Sequence, residues 1–299
     1  MTIKNKQIEL EEFQIEKQKF GLKRSITQIS DTISFEIRRN FKNFILMLSV
    51  FLGIFIIFLV VQELQYLQDV PLPEDPIYYI KSYMTMFGFM VILSSAGFAG
   101  SIIAEDFHRQ TGNLLFPKIG KTRLLIGRVI SRYSLNALCV GFYYLLISTM
   151  TLIKYGEIPL VLWGSLGWAL LYTFMIFTFV TLMSSIMKST AISIILSILF
   201  LLIVFNMINM ILRFAGLEFE PIFIITYYEG IIVNSMAMPN TRYEEIRIPT
   251  DPHGIDGEIV FKNWTTPTEV VALIGMLIFI SIFLGLTYFL YKRRQSKSE

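Results

Sequence analysis

The sequence predicts an all-α polytopic membrane protein with six transmembrane helices and both termini in the cytoplasm. An interfacial elbow helix precedes the first span, and an external segment separates the fifth from the sixth. Three observations lead there. The 299 residues are 54% hydrophobic and 16% charged, with a mean hydropathy of +0.59, which leaves too few charges to cover one water-soluble core. A hydrocarbon layer of roughly 30 Å needs about 20 residues of helix, and six uncharged runs have that length. All 26 Lys and Arg and all 23 Asp and Glu lie outside those runs.

Taken in chain order, residues 1–24 carry mixed charge and read as a cytoplasmic N-terminal extension. Over 25–43, Ile26, Ile29, Ile33, Ile37 and Phe41 recur at helical spacing, while Lys23, Arg24, Arg38, Arg39 and Lys42 reach toward headgroups. That pattern predicts a helix lying along the inner leaflet, or an amphipathic helix packed on the chain's own loops. The first span, 44–62, follows a charged segment and lacks the short apolar region of a signal peptide, so it is expected to stay as an anchor. The second span, 82–104, carries the small-residue run SSAGFAGS, suited to close helix packing within the chain or against a second subunit. The loop 105–132 leads to the third span, 133–153, and the fourth and fifth follow at 159–187 and 189–212, so that 44–212 holds five spans.

The external segment, 213–269, begins with two short apolar runs around Glu229-Gly230, neither long enough to span. Such a pair re-enters a leaflet only where its irregular turn is buried in protein or faces a wet cavity. The rest mixes Pro, Gly and Asp with short β-prone pieces and predicts a small cap, in which Asn263-Trp264-Thr265 forms a glycosylation sequon. The sixth span, 270–291, and a cytoplasmic tail, 292–299, close the chain.

Orientation follows from the basic residues. A cytoplasmic N-terminus places 20 Lys and Arg inside and six outside.

The same pattern narrows function. Carriers driven by ion gradients hold ionisable side chains at membrane depth, and none lies in these six runs. Asn206 and Asn209, near the outer end of the fifth span, either hydrogen-bond between helices or line a candidate substrate path. Enzyme chemistry is not expected. Cys139 is the single cysteine, His108 and His253 are the two histidines, and no zinc-protease or nucleophile-elbow motif occurs, so no catalytic residue and no metal site is assigned. Gly120-Lys121-Thr122 does not make a phosphate-binding loop, because Leu115 stands where that loop needs glycine and a membrane helix precedes it.

What the loop 105–132 offers instead is a lever. Glu105 and Asp106 end the second span, Thr111 and Gly112 turn the chain, Leu114, Leu115 and Phe116 form an apolar patch, and Pro117 stops it. Glu105, Thr111-Gly112, Leu114-Leu115-Phe116-Pro117, Arg123 and Gly127-Arg128 resemble the segment after the second span in permease subunits of type 2 ABC exporters. There it forms the coupling helix that rests in a cleft of the ATPase. Arg128 stands where Lys is usual, and Lys118-Ile119-Gly120-Lys121 replaces a Pro-containing turn. LMSSIMKSTA, 182–191, resembles that family's short turn between spans four and five.

The resemblance implies a multi-pass plasma-membrane permease forming half of an export pathway. It implies a separate ABC ATPase holding ATP and Mg, a second permease subunit identical or related to this one, and surrounding lipid. No cofactor in this chain and no nucleic acid is implied. Glu105, Thr111, Gly112, Leu115, Phe116, Pro117, Arg123 and Arg128 become the expected ATPase-coupling residues. The rival reading is a membrane anchor or assembly factor that displays the external segment and transports nothing.

Overall fold

The computed structural model describes residues 2–68, 71–108, 121–214, 219–249 and 258–295, with side chains over 25–68, 71–106, 122–212, 219–245 and 262–293. Six helical stretches are long and apolar enough to cross a membrane, which defines a multi-pass membrane protein. Helix α1 (Thr2–Leu67) joins the N-terminal extension, the expected elbow and the first span in one rod. No glycine or proline falls between 22 and 52, so nothing in that sequence breaks the hydrogen-bond ladder. The elbow is therefore not a separate helix among the described residues.

The second span is segmented instead. Asp75 caps α2 (Pro76–Tyr83) by accepting from the Ile77 amide at 2.8 Å, with Pro76 at the first helical position. A 3-10 turn, Met84–Met86, leads to α3 (Phe87–Ala99), and after turns over 100–103 comes α4 (Ala104–His108). The third span is α5 (Lys121–Tyr155), closed by Gly156 at φ +76°. The fourth is α6 (Val161–Ile186). The fifth runs through α7 (Thr190–Leu199), a π turn at Phe200–Val204 and α8 (Phe205–Phe214).

The segment before the last span holds a 3-10 turn, Ile225–Glu229, and α9 (Gly230–Asn234). It continues into an antiparallel hairpin of β1 (Tyr243–Pro249) and β2 (Glu258–Trp264), in which Tyr243 faces Trp264 and Ile246 faces Phe261. Among the described residues the fold is thus helical with one small hairpin. The sixth span is α10 (Glu269–Gln295).

Burial sorts the spans. In their most apolar stretches the second and fourth are each 72% buried, whereas the first, fifth and sixth are 11%, 17% and 28% buried. α3 and α6 therefore form the interior, and α1, α7, α8 and α10 present leucine and isoleucine outward, as a lipid solvent requires. The small-residue run of the second span packs within the chain: a Cβ on Gly97 would meet Met47 at 2.6 Å, and one on Gly100 would meet Ile194 at 2.5 Å.

Candidate functional site

Two built features stand at opposite ends of the bundle. The first is an ion network where α1, α4 and α5 meet. Glu36 of α1 lies 3.2 Å from Arg128, 3.0 Å from Arg132 and 3.0 Å from Arg39. Asp106 pairs with Arg128 at 2.7 Å, and Glu105 pairs with Arg39 at 3.0 Å and with Arg132 at 3.6 Å. Among the described residues, three carboxylates thus meet three guanidiniums. Glu36, Asp106, Arg128 and Arg132 are each at most 3% exposed, so none is a solvated loop charge. Asn40 adds a bond to Glu36 at 3.0 Å.

Local sequence puts the partners in place. Thr32, Glu36 and Asn40 recur every fourth residue and make the buried stripe of α1, while Ile26 and Phe41 are 66% and 51% exposed. The polar stripe is the fully buried one here, while Ile29, Ile33 and Ile37 beside it are half-buried. Gly127 brings α5 against that stripe, since a Cβ there would stand 2.8 Å from the Thr32 side chain and 3.3 Å from the Ile29 carbonyl.

The same arginines mend the break in the second span. Over 100–103 the helical ladder is interrupted and backbone groups lose their usual partners. Arg128 donates to the Ile102 carbonyl at 3.0 Å and Arg132 to the Phe98 carbonyl at 3.2 Å. Ser184 of α6 accepts from the amides of Ile103 and Ala104 at 3.1 and 3.0 Å. The junction is held rigid by charge-assisted hydrogen bonds at a point where the chain has no continuous helix.

The second feature is a cavity of about 420 Å³ at the opposite end. α3, the π turn, α8, the Ile225–Glu229 turn and β2 surround it, and Asn206, Asn209, Tyr227, Glu229, Asn263 and Trp264 are among its walls. Interruption of the α-helical ladder at the π turn coincides with this cavity, a placement common for π turns at working sites. Asn206 donates to the carbonyl of Leu202 in its own span at 2.8 Å and makes no bond between helices among the described residues. Asn136, by contrast, does link two spans, donating to Ser95 at 2.9 Å.

Glu229 sits half-buried beside α3, its carboxyl against Gly88, where a Cβ would collide with it. Burial pushes this carboxyl up to about 7, against the opposing pull of the Gly88 amide that donates to it. The turn bearing it is docked by buried Tyr228, which donates to the Ile222 carbonyl at 2.7 Å and fills the space left by Gly275, and by Ser165 of α6, which donates to the Ile232 carbonyl at 2.6 Å. Burial also raises the Tyr227 hydroxyl, which donates to Glu220 at 2.9 Å.

Of the residues expected to couple to an ATPase, Glu105 and Arg128 lie within the ion network, and Arg123 donates to Gln28 of α1 at 2.8 Å. Thr111, Gly112, Leu115, Phe116 and Pro117 lie outside the described residues. Asn206 and Asn209 share one cavity. Sequence reading missed Glu36 and Arg132 as partners and Glu229 as a cavity acid. The available signals were the four-residue spacing of Thr32, Glu36 and Asn40, matched by that of Arg128 and Arg132, and an isolated acid between two apolar runs. Asn263 of the sequon stands in the cavity wall rather than on a free loop.

The fold and these features define the class, a helical multi-pass membrane protein with a bridged ion network at one end and an acidic cavity at the other. No protein-family model matches the chain, and no curated protein matches it by sequence.

Proposed function

We propose that this chain is the permease subunit of an ABC transporter, forming half of an export pathway across the plasma membrane and driven by a separate ATPase that binds ATP and Mg. Both termini and the ion network lie on the cytoplasmic side, in keeping with the distribution of basic residues. A second permease subunit completes the pathway, and the external segment closes its outer end.

The observation that carries this reading is the clamp at the base of the 105–132 segment. Glu105 and Asp106 enter the segment, Arg128 and Arg132 leave it, and Glu36 and Arg39 of α1 hold both sides together. A push on the intervening loop is then transmitted to the second span, the third span and α1 as one unit, which suits a part worked by an external motor. Arg128 acts by holding this base, since it is buried against Asp106 and Glu36. Direct contact with the ATPase falls to the apolar patch at Leu115 and Phe116.

The test is co-purification in lipid with an ATPase encoded beside this chain. We expect hydrolysis that depends on this subunit and is lost in Leu115→Asp/Phe116→Asp. An unchanged rate in that variant removes the coupling assignment, and failure of any nucleotide hydrolase to associate favours the anchor.

A further inference from the structure

We propose that the cavity between the second span, the fifth span and the hairpin binds an amine, a ligand with an ammonium group on an apolar body, with Glu229 as its counter-ion and the Asn263 side-chain oxygen as a second acceptor. The inference goes beyond the transport reading and does not depend on it.

The chemistry of the walls points one way. Glu229 has no cationic partner among the described residues, and its carboxyl takes a hydrogen bond from the Gly88 amide. Asn263 Oδ1 is buried without a hydrogen-bond partner among the described residues. Glu229 accepts from the Gly88 amide but meets no cation among the described residues, and a half-buried carboxylate beside an unpaired amide oxygen calls for a ligand that brings positive charge and donors. Arg242 on the same segment is already engaged, by Glu220 at 3.0 Å and by the Trp264 ring at 5.2 Å. Trp264 and Tyr227 add aromatic surface beside the acid, which favours a cation over an anion. Met84, Phe89, Ile92 and Val233 line the remainder and suit an apolar body. A divalent metal is a poor occupant, since no group of three or more Asp, Glu, His or Cys is clustered among the described residues.

The groups facing Glu229 are the Gly88 amide of α3 and the Tyr172 hydroxyl of α6, which is buried without a partner and feels the Glu229 charge. No basic group faces it among the described residues. With no basic group beside it, the Glu229 carboxyl holds its proton up to about pH 7, and a bound amine must displace that proton. Because Glu229 ionises at about 7, the ionised fraction, and with it amine affinity, rises about tenfold from pH 6 to pH 8 while the amine itself stays charged.

Calorimetry on the full chain in phosphatidylcholine nanodiscs, with empty nanodiscs subtracted, tests this using phenethylamine and its neutral counterpart 2-phenylethanol. We expect saturable amine binding at least about tenfold tighter than the alcohol at pH 8, and about tenfold weaker at pH 6. Glu229→Gln should erase both differences, while Glu244→Gln on the exposed face of β1 should keep them. The proposal is overturned by equal affinity for the two probes, by absence of saturable amine binding, or by a preference that survives Glu229→Gln. The comparison of the two probes on the unaltered protein decides the matter even where that variant does not fold. No ATPase or nucleotide is present, so failure here leaves the transport reading to its own test.

Discussion

Removing the charge of Glu36 is the sharpest perturbation the fold offers. Glu36→Gln keeps the size and hydrogen-bonding atoms of the side chain while deleting the charge shared by Arg39, Arg128 and Arg132. Arg128 keeps Asp106 at 2.7 Å, and Arg39 keeps Glu105 at 3.0 Å. Arg132 keeps the Phe98 carbonyl at 3.2 Å and Ser101 at 2.6 Å, but its one remaining carboxylate among the described residues is Glu105 at 3.6 Å, so at 1% exposure it becomes a buried charge with a distant counter-charge. Breaking one member of a buried ion set costs about 3–5 kcal/mol, because the remaining charge stays desolvated. At 2–4 °C per kcal/mol for a chain of this size, the midpoint of thermal unfolding should fall by roughly 6–20 °C. Near-ultraviolet circular dichroism of the protein in nanodiscs would read this through its many buried tyrosines. A double variant, Glu36→Gln/Arg132→Gln, should recover part of the loss, with a coupling of about 0.5–3 kcal/mol. A midpoint lowered by less than about 1 °C, or strictly additive single and double variants, would falsify the claim that Glu36 holds the three arginines.

Further outcomes follow from the same contacts. Gly127→Ala should destabilise by about 1–3 kcal/mol, because its methyl meets Thr32 and the Ile29 carbonyl, and Thr32→Ala should restore part of that stability in unfolding scans. Gly230→Ala should cost more than Gly88→Ala, since the first methyl meets the Thr265 backbone and the second meets the movable end of Glu229; equal midpoints would count against close docking of this turn on Thr265. Stability should also depend on pH through Glu229, whose carboxyl rises from 4.5 in the unfolded chain to about 7 in the fold. The folded state then binds the proton more tightly, so its contribution is full below 4.5 and is lost as pH climbs through 7, on the order of 3 kcal/mol in all. Subtracting the melting profile of Glu229→Gln between pH 4.5 and 8 isolates this slope, and a flat difference disproves it.

Hydropathy alone located all six spans, because a helix in lipid must satisfy its backbone internally and needs about 20 apolar residues to cross. The apolar spacing over 25–43 also announced a helix, with its apolar stripe toward lipid or toward the chain's own loops. Ile26 and Phe41 point outward in the fold, and Thr32, Glu36 and Asn40 turn inward. Periodicity measures how a helix is sided but not which side meets protein when the outer solvent is itself apolar.

Spacing marked the polar stripes of α1 and α5 but not their pairing, for a related reason. Glu36 stands 96 positions from Arg132, and pairing across that separation is set by how close α1 and α5 approach at Gly127, which no local window records. In the same way the sequence placed Glu229 outside the spans, and its burial came only when Gly88, Gly230 and Gly275 admitted the turn against their helices. Composition and run length determined that this chain lives in a membrane and how often it crosses. The tertiary structure decided which charges are buried and with whom, because desolvation and Coulomb energy depend on distance in space, and the sequence orders residues only along the chain.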